Sequence, residues 1–326
     1  MSIEPNWKLH LNDGTRLFGR AFFPHSDAVK GIVLILHGMG EHSARYSDFA
    51  AYLNQHDFLV CAYDQRGHGL TGETAGTLGY LGVNGFTRLT QDVGAVVSWL
   101  KTVHPDVPVY LFGHSMGSFV AQGYLVRGAE GIDGCILCGC NGPEGYRLYA
   151  GIAIARRYAR RHGPAAMSKL LTWLTFGMYN RRFRPIRTPY DWLSRDPDVV
   201  DAFLSDKRCG FPLSAASMGD MFQALLDMYK PSNLQKIPRT LPIFLIAGEL
   251  DPVGHQGRGV MKLADIYRRI GIQDVQMRLY PGARHELLHE LNRMEVFAHI
   301  HEWLARQVSS SRSGNPITVP TRMSNL

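Results

Sequence analysis

Val109-Tyr110-Leu111-Phe112-Gly113-His114-Ser115-Met116-Gly117-Ser118-Phe119 is the stretch on which the fold turns. An apolar, strand-like run ends in Gly-x-Ser-x-Gly and passes at once into a helical pattern of Met116, Phe119, Val120 and Tyr124. So tight a turn from strand to helix leaves no room for side chains beside the serine, so Gly113 and Gly117 flank it. The spacing predicts Ser115 exposed above the strand ends at a helix N-terminus. There the Met116 N–H faces any negative charge that develops on a bound group.

Outward from this turn, strands and helices alternate. Trp7 to Leu11 and Arg16 to Phe23 read as a hairpin closed by Asn12-Asp13-Gly14. Ile32 to Leu36 is a continuous apolar run, the pattern of a strand covered on both faces. Phe49 and Leu53 mark a helix. Phe58 to Tyr63 is a further strand, followed by Asp64-Gln65-Arg66-Gly67-His68-Gly69 and a glycine-rich loop to Gly85. Leu89, Val93, Val96, Val97 and Leu100 recur at helical spacing, and Ile132 to Cys138 is another strand. Between Asn141 and about Ile237 strand-like runs vanish in favour of short helical patterns. Alternation then resumes with strands at Ile243 to Ala247 and Val275 to Tyr280. The expected fold is α/β, a mostly parallel sheet with helices on both faces and an inserted helical cap. Residues 1–140 and 238–308 form the core, 141–237 the cap, and 309–326 a Ser-rich disordered tail.

A serine hydroxyl needs a base to become a nucleophile, and the base needs an acid to orient it. In this arrangement the chain order is Ser, then Asp or Glu, then His. Asp251 follows the strand ending at Ala247 and begins an Asp-Pro turn, which favours it over Glu249. Among 14 histidines, only His285 follows the final strand; His37, His42, His68, His114 and His289 are competitors near other loops. Ser115, Asp251 and His285 are therefore the candidate triad. The loop His37-Gly38-Met39-Gly40 is expected to supply a second oxyanion donor, the Met39 N–H, beside that of Met116. Two metal patterns compete. His285-Glu286-Leu287-Leu288-His289 is a literal His-Glu-x-x-His, a zinc motif when it lies on a helix. Cys135-x-x-Cys138 with Cys140 lacks a second ligand pair and is read as strand core. No metal and no cofactor are expected.

The chain has 326 residues, 45% of them hydrophobic and 19% charged, enough for one large domain with an insertion. Five cysteines, mostly in apolar runs, indicate reduced thiols and a cytoplasmic setting. No leader pattern opens the sequence, and no apolar run reaches the ~18 residues of a membrane span. The net charge is +7, and 141–236 alone holds 15 Lys and Arg against 8 Asp and Glu. Arginines from Arg156 to Arg187 dominate that excess. They suit either a solvated face or peripheral attraction to anionic lipid surfaces, with Trp173 and Phe176 as apolar contacts. No nucleic-acid motif accompanies them.

At its motifs the sequence resembles the monoglyceride lipase and lysophospholipase branch of the α/β-hydrolase superfamily, the serine-aminopeptidase-like group. The resembling stretches are His37 to Tyr46, Tyr63 to Gly69, Gly113 to Gly117, Gly248 to Asp251, and His285 to Leu288. Thr71 stands where that family commonly has serine, and the Arg-rich cap has no recognisable counterpart. The resemblance implies Ser115, Asp251 and His285 as triad and Met39 and Met116 as oxyanion donors. It also implies Glu41 and Arg45 near the polar head of a glyceride, with a loop-bracing ion pair as the alternative. The expected activity is hydrolysis of monoacylglycerol or lysophospholipid-like single-chain esters. Acyl transfer by the same triad, short-chain ester hydrolysis and catalytically silent ligand binding are the competing readings.

Overall fold

The computed structural model describes residues 4–26, 28–311 and 317–318. Eight strands form one mixed sheet: β1 (Trp7–His10), β2 (Arg16–Phe22), β3 (Gly31–Leu36), β4 (Phe58–Asp64), β5 (Val109–His114), β6 (Gly134–Cys138), β7 (Ile243–Gly248) and β8 (Val275–Tyr280). Their spatial order is β1-β2-β4-β3-β5-β6-β7-β8. The hairpin is antiparallel and β2 joins β4 antiparallel. Every pairing from β4 to β8 is parallel.

The apolar runs are strands because each residue finds a covered face. In β3, Ile32, Leu34 and Leu36 pack into one core, while Val33 and Ile35 pack into the other. The first core is covered by α3 (Gly85–Val103), α4 (Met116–Leu125) and α10 (Arg258–Arg269). The second is covered by α1 (Ser47–Asn54) and α11 (Arg293–Ser311), with Phe49, Phe297 and Trp303 at its centre. A sheet covered on both faces selects continuous apolar strands and leaves its C-terminal rim as the place for chemistry.

Among the described residues no strand lies between β6 and β7. That stretch holds α5 (Arg147–His162), α6 (Lys169–Phe176), α7 (Pro197–Ser205), α8 (Ala215–Met228) and α9 (Pro231–Leu234). Leu148, Ile152 and Ala155 of α5 pack with Met218, Met221 and Phe222 of α8, which join the core of α3 and α4. α6 buries only Leu171, with Ser168 capping its start. Among the described residues no helix is long and apolar enough to cross a membrane.

Two local expectations are corrected. The glycine-rich loop after β4 contains a short helix, α2 (Gly69–Thr74), because the Asp64 carboxylate accepts from the Leu70 N–H and fixes its first turn. Residues 309–311, expected in the tail, belong to α11, which runs through Ser311 and buries Trp303, Leu304 and Val308. Ile317–Thr318 pairs with Ala28–Val29, and the other tail residues lie outside the described ones. The competing His-Glu-x-x-His run forms a single 3₁₀ turn, Leu287–His289, and not the helix that the zinc motif requires.

Candidate active site

Ser115 sits between β5 and α4 at φ +51° and ψ −119°, a conformation that L-residues rarely hold. The flanking glycines explain how it persists. A Cβ on Gly113 would meet the Gly117 carbonyl oxygen at 2.4 Å, and one on Gly117 would meet the Leu36 carbonyl oxygen at 2.0 Å. The Ser115 N–H donates to the Cys138 carbonyl at 2.9 Å, tying the turn to β6. Met116 is the first residue of α4, so its N–H has no intrahelical acceptor.

The acid and the base meet as their order implied. Asp251, fully buried, accepts from Nδ1 of His285 at 2.9 Å through Oδ2 and from the Val253 N–H through Oδ1. This bond places the His285 proton on Nδ1 and leaves Nε2 as the acceptor. Nε2 is buried and has no hydrogen-bond partner among the described residues. Burial disfavours an imidazolium, but the Asp251 carboxylate outweighs it, with Glu286 and Glu41 adding to the effect. The His285 pKa accordingly lies above its usual 6.5. His114, 4.8 Å away ring to ring, is pushed the other way by burial and by His285, to about 4. It stays neutral and adds no competing charge. Glu249 is exposed and receives the Gly282 N–H.

Ser115 and His285 line one cavity of about 760 Å³. Gly38 and Met39 line it from the core, and Met167, Trp173, Phe176 and Ile186 from the helical segment. Gly38 is needed here, since a Cβ on it would press on Glu41 Oε1 at 2.7 Å and approach the Ser115 Cβ at 3.2 Å. The loop carrying Met39 is braced by charge. Glu41 Oε1 accepts from the Gly38 N–H and the Tyr46 hydroxyl, and Oε2 from Arg45 at 2.6 Å. Arg45 also grips Glu286 with two bonds of 2.7 Å. Burial alone would raise both carboxyls, but Arg45 holds each below its usual value. Glu41 reaches the cavity wall, yet its oxygens are spent within the loop. Arg45 is committed to two carboxylates, the arrangement of the loop-bracing alternative.

The competing histidines have other work. His37 bridges the Gly38 carbonyl and the Gln65 N–H, His42 meets Asp206 at 2.8 Å, and His68 meets the Arg66 carbonyl. In the His-Glu-x-x-His run, Nδ1 of His285 faces Asp251, the Nε2–H of His289 donates to the Arg45 carbonyl, and Glu286 holds Arg45. These donors are committed to three different partners and do not converge on one ion. Cys135, Cys138 and Cys140 are buried free thiols whose pKa values burial pushes well up. Sequence reasoning missed Trp192, whose ring lies 5.0 Å from that of His285, and the grip of Glu286 on Arg45. Glu286 adjoins the candidate base and could have been suspected; Trp192 sits in a helical segment with no motif around it.

A strand–serine–helix turn and a carboxylate-held histidine at the rim of this sheet define an α/β-hydrolase. The chain belongs to the serine aminopeptidase S33 family, whose model matches residues 27–292. It is 28% identical over 312 residues to the monoglyceride lipase of Mus musculus, covering 93% of this chain and 91% of that one. It is 38% identical over 288 residues to a monoglyceride lipase homolog of Monkeypox virus, covering 86% and 91%. A thermostable carboxyl esterase from Bacillus coagulans, solved with glycerol, superposes with a TM-score of 0.86 at 29% identity, covering 93% and 98%.

Arg45→Ala leaves Glu41 and Glu286 buried without their cation. Its expected cost is about 3–5 kcal/mol in unfolding free energy by urea titration. A loss below about 1 kcal/mol would show that the brace contributes little.

Proposed function

We propose that this chain is a serine carboxylic ester hydrolase that cleaves monoacylglycerols and related single-chain lipid esters through an acyl-enzyme. The observation that carries the reading is the shared cavity. Ser115 and His285 line it, Asp251 holds the histidine from behind, and the remaining wall is largely apolar. In the proposed steps the Ser115 Oγ attacks the ester carbonyl while Nε2 of His285 takes its proton. The N–H groups of Met39 and Met116 hold the oxyanion, a contribution of ~10²–10³ in rate per donor. Collapse expels the alcohol, which receives the proton from His285. Water, deprotonated by the same nitrogen, then releases the fatty acid. Residues 141–237 serve as the cap that supplies the acyl-chain wall. The names of the relatives above support the glyceride as substrate.

Docking on a lipid surface belongs to the same proposal. Met167, Trp173 and Ile186 line the cavity and are also 41%, 59% and 52% exposed, so the cavity opens through an apolar rim. Leu170, Leu174 and Met178 extend that rim on the outside. Such a patch marks a contact with apolar material, and Arg156, Arg157, Arg160 and Arg161 on α5 supply attraction to anionic headgroups.

The deciding assay is a monoacylglycerol chain-length series against short p-nitrophenyl esters, with Ser115→Ala as the blank. Long-chain glycerides should have the higher kcat/KM; turnover of acetyl and butyryl esters alone would defeat the lipid assignment.

Because Asp251 raises the His285 pKa, the acid limb of kcat/KM should lie above pH 6.5. Activity is lost as pH falls through the raised His285 pKa, since the neutral imidazole is the base. Asp251→Asn should cut kcat by about 10⁴ and move the limb to lower pH. An unmoved limb would remove Asp251 from its proposed role.

Vesicle sedimentation checks the docking. Binding should be stronger on anionic than on neutral vesicles, weaken in high salt, and drop further in Trp173→Ala.

A further inference from the structure

Arg182, Arg184, Arg187, Arg195 and Arg284 line a second concavity, of about 350 Å³, on the outside of the helical segment. One carboxylate lines it with them, and that one is occupied. Asp191 accepts from the N–H groups of Arg187 and Thr188 and from the Thr188 hydroxyl. Two of the arginines are matched: Arg187 by Asp201 at 2.6 Å and Arg195 by Glu290 at 2.8 Å. Arg182 and Arg184 meet no carboxylate among the described residues. Arg284 is held through NH1 by the carbonyls of Asp191 and Ser194, and its guanidinium lies 4.3 Å over the Phe183 ring. Its Nε–H is buried with no acceptor. A buried donor without a partner is costly to keep, and the exposed Arg182 and Arg184 give the mouth of the pocket a positive potential.

We propose that this pocket binds a phosphate monoester group, free in solution or on a lipid headgroup. A dianion matches the uncompensated charge, and guanidinium forks match phosphate oxygens in paired hydrogen bonds. The pocket also has a definite relation to the large cavity. Trp192 and Leu193 line the cavity, while Asp191, Ser194 and Arg195 line the arginine pocket. His285 and Glu286 line the first, and Arg284 the second. The two segments are laced together: the His285 N–H donates to the Trp192 carbonyl and the Glu286 N–H to the Leu193 carbonyl. The phosphate is thus bound across a two-segment wall from the histidine.

The test is scanning calorimetry of the full chain in sodium phosphate and in sodium chloride at matched ionic strength. Wild type should gain a saturating increment of about 3 °C in phosphate over chloride. Arg182→Ala/Arg184→Ala should lose most of it. Arg160→Ala/Arg161→Ala, which removes the same charge from α5, should keep it. Line broadening of inorganic phosphate in phosphorus NMR reads the same site without unfolding the protein. Equal increments in both salts, or an increment that survives in Arg182→Ala/Arg184→Ala, would overturn the proposal. Loss in both double variants alike would reduce the effect to general charge and overturn it too. Flotation on phosphatidic acid and phosphatidylserine vesicles of equal surface charge identifies the source. A phosphatidic acid preference abolished in Arg182→Ala/Arg184→Ala assigns the headgroup; no preference beside a retained calorimetric increment assigns soluble phosphate. None of these readouts needs turnover, so the phosphate site and the hydrolase reading stand or fall separately.

Discussion

The close approach of the Gly117 backbone to the end of β3 is the constraint on which the site depends. With 2.0 Å between a notional Cβ and the Leu36 carbonyl oxygen, no other residue fits without moving strand or helix. The approach fixes where α4 begins, and so where the Met116 N–H points. It also brings the loop after β3 beside the serine, so that Gly38 nearly touches Ser115. Met39 and Met116, from distant parts of the sequence, thereby flank the serine. The positive φ of Ser115 is the local strain of this geometry, of order 1–3 kcal/mol, and the parallel ladders on both sides of β5 hold it.

A loop that carries a rim amide cannot also be held by sheet hydrogen bonds, and here charge does the holding. Arg45 stands between Glu41 and Glu286, one on its own loop and one beside His285. At the neighbouring turn, Asp64 receives the Ser43 N–H and hydroxyl and pairs with Arg20. Buried ion pairs of this kind add little net stability over apolar packing, since desolvation offsets most of the attraction. What they supply is a single geometry, because a misplaced partner leaves a bare charge in the interior. Placing Glu286 next to the histidine means that the loop and the candidate base are positioned by the same cation.

The strands and the three candidate residues were legible because parallel sheets impose a strong pattern. Buried strands are continuous apolar runs, and each reactive side chain comes directly after one. Asp251 could be preferred to Glu249 from its Asp-Pro turn, and the structure gives the reason: Asp251 is enclosed beside His285, while Glu249 points outward to Gly282. What stayed hidden depends on contacts between segments far apart in sequence. Trp192 owes its place against His285 to the lacing of 192–193 onto 285–286. The His-Glu-x-x-His run imitates a metal helix by spacing alone, but its turn closes after three residues. Helix α2 hides in glycines because a distant carboxylate, not local propensity, starts it. The arginine pocket was visible only as an excess of charge, without the folding that gathers five of the arginines around Phe183.

The helical segment is fastened unevenly, and the unevenness has a direction. Its 191–195 stretch is tied to the core by Arg284, by Arg195 on Glu290, and by the Ser194 hydroxyl on the His289 carbonyl. Near the rim, Gly210 bonds the Gly40 carbonyl and Asp206 meets His42. α6 is fastened by packing: it buries Leu171, rests Phe176 on Trp192, and exposes Leu170, Trp173 and Leu174. Local opening free energy follows buried apolar contact, so α6 opens at lower cost than α8, which buries eight residues. It also borders the cavity through Thr172, Trp173 and Phe176. The wall behind His285 is therefore the tightly fastened side of the cavity, and α6 reaches it through Phe176, whose ring stacks on the Trp192 that lies against the histidine.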